Sequence, residues 1–231
     1  MFPLHDDNPC SIKPYVTVTI IIACVAIFFW QLSLGKNGPL AIYSLGMIPA
    51  VLFGLKELPP ELVTVPSFAT LFTAMFLHGG WMHIIGNMLY LWIFGNNVED
   101  AMGHRRFIVF YLLCGIAAAM TQALPDPSSQ VPMIGASGAI SGVLGAYLLL
   151  YPHARVLVAI PIIFFLYTVR VKAGWVLGIW FAIQIGSSLA SGDQQGGVAW
   201  GAHIGGFIAG LVLIPFFKYK KVRLLAPERR G

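Results

Sequence analysis

The feature that most constrains this chain is a series of long stretches without a charged side chain. Residues 15–34 form one such run, and residues 68–98 form another that is divided at Gly79-Gly80. An α-helix needs about 20 apolar residues to cross roughly 30 Å of hydrocarbon. Hydrophobic residues make up 58% of the chain and charged residues only 10%, whereas soluble proteins carry about 25% charged residues. The chain is therefore predicted to be an integral membrane protein.

Six runs of suitable length predict an all-α bundle of six membrane-spanning helices. They cover residues 15–34, 81–98, 107–124, 133–151, 173–189 and 198–217. These spans form one predicted domain, residues 15–217, between a short polar N-terminus (1–14) and a basic tail (218–231). The segment 156–167 is apolar, but its length of about 12 residues is too short to cross and it contains Pro161. It is therefore predicted to be an interfacial loop.

The basic residues predict the orientation of these spans. Of 14 Lys and Arg residues, only Lys36 and Lys56 fall in the loops after spans one, three and five. The others lie at the termini or in the loops after spans two and four, so the positive-inside rule predicts that both termini are cytoplasmic. The net charge of +5 is therefore attributed to membrane topology rather than to nucleic-acid binding, and no nucleic-acid partner is predicted.

Three distant segments place polar side chains near the same predicted membrane surface. His83, Ser137 and His203 lie near the outer starts of spans two, four and six. Asn87 is one helical turn after His83, so these two side chains share a face. A serine becomes a good nucleophile only when a base can take its proton. The common depth of Ser137 and His203 therefore predicts a nucleophile and base pair.

Small residues predict that the helices carrying Ser137 and His203 pack closely. The glycines that form bare faces on spans four and six are Gly135, Gly138, Gly142, Gly206 and Gly210. Small residues at three- and four-residue spacing let membrane helices approach to backbone contact. A hydroxyl and an imidazole need about 2.6 to 3.2 Å between heavy atoms for proton transfer. The two bare faces make that distance reachable.

Taken together, these motifs resemble the rhomboid family of intramembrane serine proteases, in its bacterial six-span form. The resemblance rests on HIIGN at residues 83–87, GASG at 135–138 and AHIGG at 202–206. It implies a Ser137 and His203 dyad without a third acidic residue. It also implies an oxyanion hole made by His83, Asn87 and the Ser137 backbone N–H. The implied substrates are transmembrane segments of other proteins, cleaved near their outer ends in a bacterial plasma membrane.

Two features depart from the family pattern. The long first loop lacks the Trp-Arg pair common in the family, and the residue one turn after the nucleophile differs. Many family members carry an aromatic ring one turn after the nucleophile, where it stacks on the general base. Here that position is Ser141. The orientation of His203 is therefore expected to depend on other side chains.

Two other classes of function would require different sequence features. A catalytically silent rhomboid-like protein that escorts membrane clients would be marked by loss of the serine or the histidine, and both are present. A small transporter or channel would be expected to show intramembrane carboxylates or an internal repeat. The predicted spans contain no Asp or Glu. No metal or cofactor is predicted, because the histidines lack His-Glu-x-x-His spacing and the three cysteines lie far apart.

Overall fold

In the computed structural model the chain is predominantly helical, as the apolar runs predict. The structure describes residues 2–162, 165–191 and 199–226, so the predicted start of the last span at residue 198 and the end of the tail lie outside the described residues. The helices are α1 (Tyr15–Ser33), α2 (Gly38–Leu45), α3 (Pro49–Leu52), α4 (Thr70–Thr73), α5 (Trp81–Met102), α6 (His104–Ala123), α7 (Ser137–Leu150), α8 (Ala173–Ser191) and α9 (Trp200–Phe217). The strands are β1 (Phe2–Asp6), β2 (Arg155–Ile162) and β3 (Phe165–Lys172). The prediction of a helical bundle is confirmed.

Within the described residues, four helices are long and apolar enough to cross a bilayer. They are Tyr15–Ser33, His104–Ala123, Ala173–Ala190 and Trp200–Phe217. A fifth candidate is a bent pair, because the segments Pro60–Phe76 and Trp81–Met102 meet at 82°. The remaining apolar helix, α7, has 14 residues. By length and composition this is a multi-pass membrane protein, and the count of six crossings stays a prediction.

Helix α7 is the central helix of the bundle and packs against α6 and α9. Every residue from 138 to 147 is buried. A Cβ placed on Gly206 would lie 2.0 Å from the Gly138 carbonyl oxygen, and one on Gly210 would lie 1.9 Å from that of Gly142. No side chain fits at such distances, so α7 and α9 meet backbone to backbone.

Helix α7 begins at Ser137, four residues later than the predicted span of residues 133–151. Met133 instead forms an antiparallel bridge with Met47. Gly135 has a φ of +119°, a conformation that glycine adopts readily and other residues rarely. Neither residue can continue a helix in these conformations. Gly135 therefore precedes α7, and the prediction that it belongs to the bare face by which this helix packs is wrong.

The segment predicted to be an interfacial loop is a β-hairpin. Strands β2 and β3 pair antiparallel, and β1, from the predicted polar N-terminus, pairs antiparallel with β2 on its other side. Val156 and Val158 alternate along β2 and are fully buried. The loop prediction for residues 156–167 is wrong, because β2 and β3 pair with each other, β2 also pairs with the N-terminal strand, and β2 buries one face against the bundle.

Two buried carboxylates tie the N-terminal segment to the helices. Asp6, at the end of β1, accepts hydrogen bonds from the Tyr147 hydroxyl at 2.6 Å and from Asn97 Nδ2 at 3.1 Å. Burial raises the pKa of Asp6 to about 6, although the bond from Tyr147 lowers it. Glu99 of α5 accepts bonds from two backbone N–H groups in the first turn of α1, at 2.9 and 2.8 Å. These donors have no partner within the helix, so Glu99 caps α1.

Candidate active site

Ser137 and His203 are 66 positions apart in sequence and meet between α7 and α9. His203 Nε2 lies 2.8 Å from Ser137 Oγ. This distance is within the range of about 2.6 to 3.2 Å in which a base can take a proton. The glycine contacts between the two helices bring their backbones close enough for this approach. Ser137 is also the first residue of α7, so its backbone N–H has no partner within the helix.

The second ring nitrogen of His203 faces α8. His203 Nδ1 lies 2.8 Å from Oε1 of Gln184, which is buried. Gln184 Nε2 donates to the Trp180 carbonyl oxygen at 3.1 Å, and this bond orients the amide so that its oxygen faces the imidazole. An amide oxygen can only accept, so His203 Nδ1 carries the hydrogen. Nε2 is then free to accept the hydrogen of the Ser137 hydroxyl.

His83, in the first turn of α5, is separated from Ser137 by a space that Gly135 leaves open. A Cβ placed on Gly135 would lie 2.6 Å from His83 Nε2 and 3.7 Å from Ser137 Oγ. His83 Nδ1 accepts the backbone N–H of Gly79 at 3.3 Å. In the neutral ring the hydrogen therefore lies on Nε2. His83 consequently presents a donor on the side where Gly135 and Ser137 lie.

Asn87 lies one turn after His83 on α5 and is buried. Its Nδ2 has no hydrogen-bond partner in the part of the chain that the structure describes. A buried donor without a partner costs about 1 to 3 kcal/mol, and native structures contain few of them. The Asn87 amide is therefore available to a group that enters the site.

Two α8 side chains contact His203 in ways that the sequence motifs did not predict. One is Gln184, and the other is Trp180, whose ring centroid lies 5.9 Å from that of His203 at an interplanar angle of 36°. Ser141, at the position where the resemblance implies an aromatic ring, is buried and donates its hydroxyl to the Ser137 carbonyl oxygen at 2.7 Å. The ring of Trp180 on α8 therefore contacts His203, whereas the α7 position carries a serine.

One sequence signal could have identified Gln184. It is the only side-chain amide in the predicted span 173–189. Strongly polar side chains within membrane helices usually face the interior of the bundle or a functional site. The sequence does not indicate its partner, because nothing local relates Gln184 to His203 on the next helix.

A small cavity lies beside Ser137. Its volume is about 20 Å³, and its lining includes Gly135 and Gly138 together with small side chains of α6 and α9. A water molecule needs at least about 10 to 15 Å³ of this kind of volume. The cavity is therefore large enough for one water next to the hydroxyl.

The fold and this site define a multi-pass membrane protein with a serine and histidine pair between two of its helices. The family model described as "Rhomboid domain" matches residues 66–220. That is most of the chain, so the protein belongs to the rhomboid family. The resemblance seen in the sequence motifs is confirmed.

Several relatives carry the same family name. Rhomboid protease GluP of Bacillus subtilis is 32% identical over 201 residues, which is 87% of this chain and 35% of that protein. The mitochondrial Rhomboid protein 1 of Saccharomyces cerevisiae is 28% identical over 187 residues, covering 74% of this chain and 51% of the relative. The putative rhomboid protease YdcA of Bacillus subtilis is 34% identical over 154 residues, which is 64% of this chain and 69% of that protein. The chain thus spans about half or less of the length of the first two.

Proposed function

We propose that this protein is an intramembrane serine endopeptidase whose substrates are transmembrane segments of other proteins. The observation that carries the proposal is the 2.8 Å contact between His203 Nε2 and Ser137 Oγ. Membership of the rhomboid family supports it, as do the names of the relatives GluP and YdcA, which are called rhomboid proteases. No cofactor or metal takes part in the proposed reaction.

In this mechanism His203 is the general base and Ser137 the nucleophile. Nε2 accepts the hydroxyl proton while Oγ attacks the scissile carbonyl carbon, and Nε2 then passes that proton to the leaving amine. A water molecule attacks the resulting ester, again with help from Nε2, and Ser137 is regenerated. The hydrogen on His203 Nδ1 stays in place throughout.

Three donors are proposed to stabilise the oxyanion that forms in each step. They are the Nε2–H of His83, the Nδ2–H of Asn87 and the backbone N–H of Ser137. The tautomer of His83 and the unpartnered amide of Asn87 support these roles. Removing one such donor typically lowers the rate by a factor of about a hundred to a thousand.

The length of α7 supports a site below the membrane surface. A helix of 14 residues rises about 21 Å, whereas the hydrocarbon layer is roughly 30 Å thick. When the C-terminal end of α7 reaches the cytoplasmic boundary, Ser137 therefore lies within the outer half of the bilayer. We also propose that both termini are cytoplasmic and that the protein lies in a bacterial plasma membrane. The location is part of the proposal because two relatives are named as mitochondrial and chloroplastic proteins.

The test uses purified protein in liposomes with a single-span model substrate, together with labelling by a fluorophosphonate, which reacts with activated serines. We expect the wild type to cleave the substrate and to be labelled. Ser137→Ala should lose both cleavage and labelling, and His203→Ala should lose cleavage. Asn87→Ala should lower kcat by roughly a hundredfold or more while the thermal unfolding midpoint is retained.

Two outcomes would contradict the proposal. Cleavage by Ser137→Ala at the wild-type rate would exclude this serine as the nucleophile. If folded wild-type protein neither cleaves several substrates nor reacts with the probe, a catalytically silent rhomboid-like protein that binds membrane clients becomes the better description.

A further inference from the structure

We propose that Gln184 of α8 is a positioning residue that holds His203 in the tautomer and orientation required for proton transfer. This inference rests on the proposed function and adds a third residue to the Ser137 and His203 pair. Gln184 itself touches neither Ser137 Oγ nor, in this proposal, the substrate. It acts through the imidazole.

The first support is a continuous chain of hydrogen bonds with a single direction. Gln184 Nε2 donates to the Trp180 carbonyl oxygen at 3.1 Å, and Gln184 Oε1 accepts from His203 Nδ1 at 2.8 Å. His203 Nε2 in turn accepts from Ser137 Oγ at 2.8 Å. The backbone carbonyl at the start can only accept, and this determines the role of every later atom in the chain.

The second support is the chemistry of a neutral imidazole. Its hydrogen can lie on either nitrogen, and only the tautomer with the hydrogen on Nδ1 can accept a proton at Nε2. An acceptor facing Nδ1 favours that tautomer. After proton transfer both ring nitrogens carry hydrogens, and the Gln184 oxygen continues to accept one of them. An amide provides this acceptor without placing a charge in the apolar bundle, where an ionised carboxylate would be costly.

The third support is that two tryptophan rings lie against the imidazole. Trp180, one turn before Gln184, lies 5.9 Å from the His203 ring, and Trp200 of α9 meets it edge-on at 6.1 Å. Two titratable groups lie on the other side of the site: His83, beside Gly135 and Ser137, and His78, whose ring lies 5.2 Å from that of His83. Gln184 is thus a polar partner that α8 supplies to this ring.

The experiment compares two substitutions of nearly equal length. Gln184→Met removes the oxygen acceptor but fills the space, and we expect kcat to fall about 10- to 100-fold with KM unchanged, because a buried N–H loses its partner. Gln184→Glu retains an oxygen at that position. We expect it to keep kcat within a few-fold and to move the acidic limb of the kcat/KM profile to higher pH, because a carboxylate favours the protonated ring.

The control is Ile183→Met, which makes the same side chain at the exposed neighbouring position of α8. It should leave kcat, KM and the pH profile unchanged. The rate of fluorophosphonate labelling of Ser137 gives a second readout that does not depend on substrate binding, and it should follow kcat in all variants.

The inference is overturned if Gln184→Met keeps the wild-type kcat and labelling rate, or if a folded Gln184→Glu is as slow as the Met variant and shows no change in its pH profile. If Gln184→Met does not fold, the Gln184→Glu variant alone tests the inference, through the expected shift of its kcat/KM profile to higher pH. These failures leave the wild type active and Ser137→Ala inactive. An inactive wild type, or an active Ser137→Ala, would instead overturn the proposed function and this inference with it.

Discussion

Helices α7 and α9 pack tightly against each other at the site, whereas α8 packs loosely against the same site. Between α7 and α9, glycines allow backbone to touch backbone, so that a Cβ on Gly206 would collide with a carbonyl oxygen 2.0 Å away. On α8, a Cβ on Gly178 or Gly186 would meet nothing within 4 Å. Only 22% of the residues in Ala173–Ala190 of α8 are buried, against 39% of those in Trp200–Phe217 of α9. One interface is tightly packed, and the other helix is largely exposed.

This difference separates the distance between the reacting groups from the orientation of the base. The distance from Ser137 to His203 depends on the α7 and α9 backbones, which have little freedom to move apart. The orientation of the imidazole depends, in our proposal, on Gln184 of the loosely packed α8. An outward displacement of α8 would leave the serine and histidine close together and remove the acceptor from Nδ1. Helices with few buried contacts are those that move most readily.

The largest expected effect comes from filling the tight interface. Gly206→Ala should lower the free energy of unfolding by about 1 to 3 kcal/mol and reduce cleavage, because the new methyl group collides with the Gly138 carbonyl oxygen. Gly178→Ala on α8 is the matched control and should leave both properties unchanged or slightly improved. The measurements are thermal unfolding in detergent and cleavage in liposomes. Equal stability of the two variants would show that the interfaces do not differ as described.

A smaller effect concerns the far end of α7, where Tyr147 donates to Asp6. Burial raises the pKa of Asp6 to about 6 from its ordinary value of 3.8, so the folded protein holds this proton more tightly than the unfolded chain does. Stability contributed by that proton is present below the ordinary pKa and is lost as the pH rises to about 6. Asp6→Asn, which stays neutral, should therefore be more stable than the wild type above this pH.

Thermal unfolding of the wild type and Asp6→Asn at about pH 4 and about pH 8 checks this expectation. The two proteins should differ at the higher pH and converge at the lower one. A stability difference that is the same at both pH values would mean that ionisation of Asp6 does not weaken its contact with Tyr147 of α7. Tyr147→Phe should lower stability at both values, because Asp6 then loses a buried donor.

The smallest expected effect is that of Ser141→Ala. The Ser141 hydroxyl donates to the Ser137 carbonyl oxygen within the same helix and makes no contact that orients His203. Such back-bonding contributes little to helix stability. Cleavage and labelling rates should therefore stay within about fivefold of the wild type, since a hydrogen bond of this kind has a net value of about 1 kcal/mol or less and about 1.36 kcal/mol corresponds to tenfold in rate. A large loss of activity would mean that α7, rather than α8, orients the base.

The membrane class, the starts of α5 and α8 and the family could be predicted from the sequence. Helix α5 begins at Trp81 and α8 at Ala173, where the uncharged runs predict them. The physical reason is that hydrocarbon imposes a simple local requirement, since a segment must be long enough and free of charge whatever its neighbours are. The candidate pair Ser137 and His203 was predictable for a related reason, because both lie near the N-terminal ends of their helices.

The features that could not be predicted depend on contacts between distant segments. The hairpin of β2 and β3 exists because the N-terminal strand supplies its other partner. The start of α7 is set by the bridge of Met133 to Met47 and by the left-handed conformation of Gly135. Gln184 meets His203 because α8 and α9 pack side by side. Polar composition can indicate that such a residue matters, but its partner is chosen by packing, which a pattern of apolar runs does not specify.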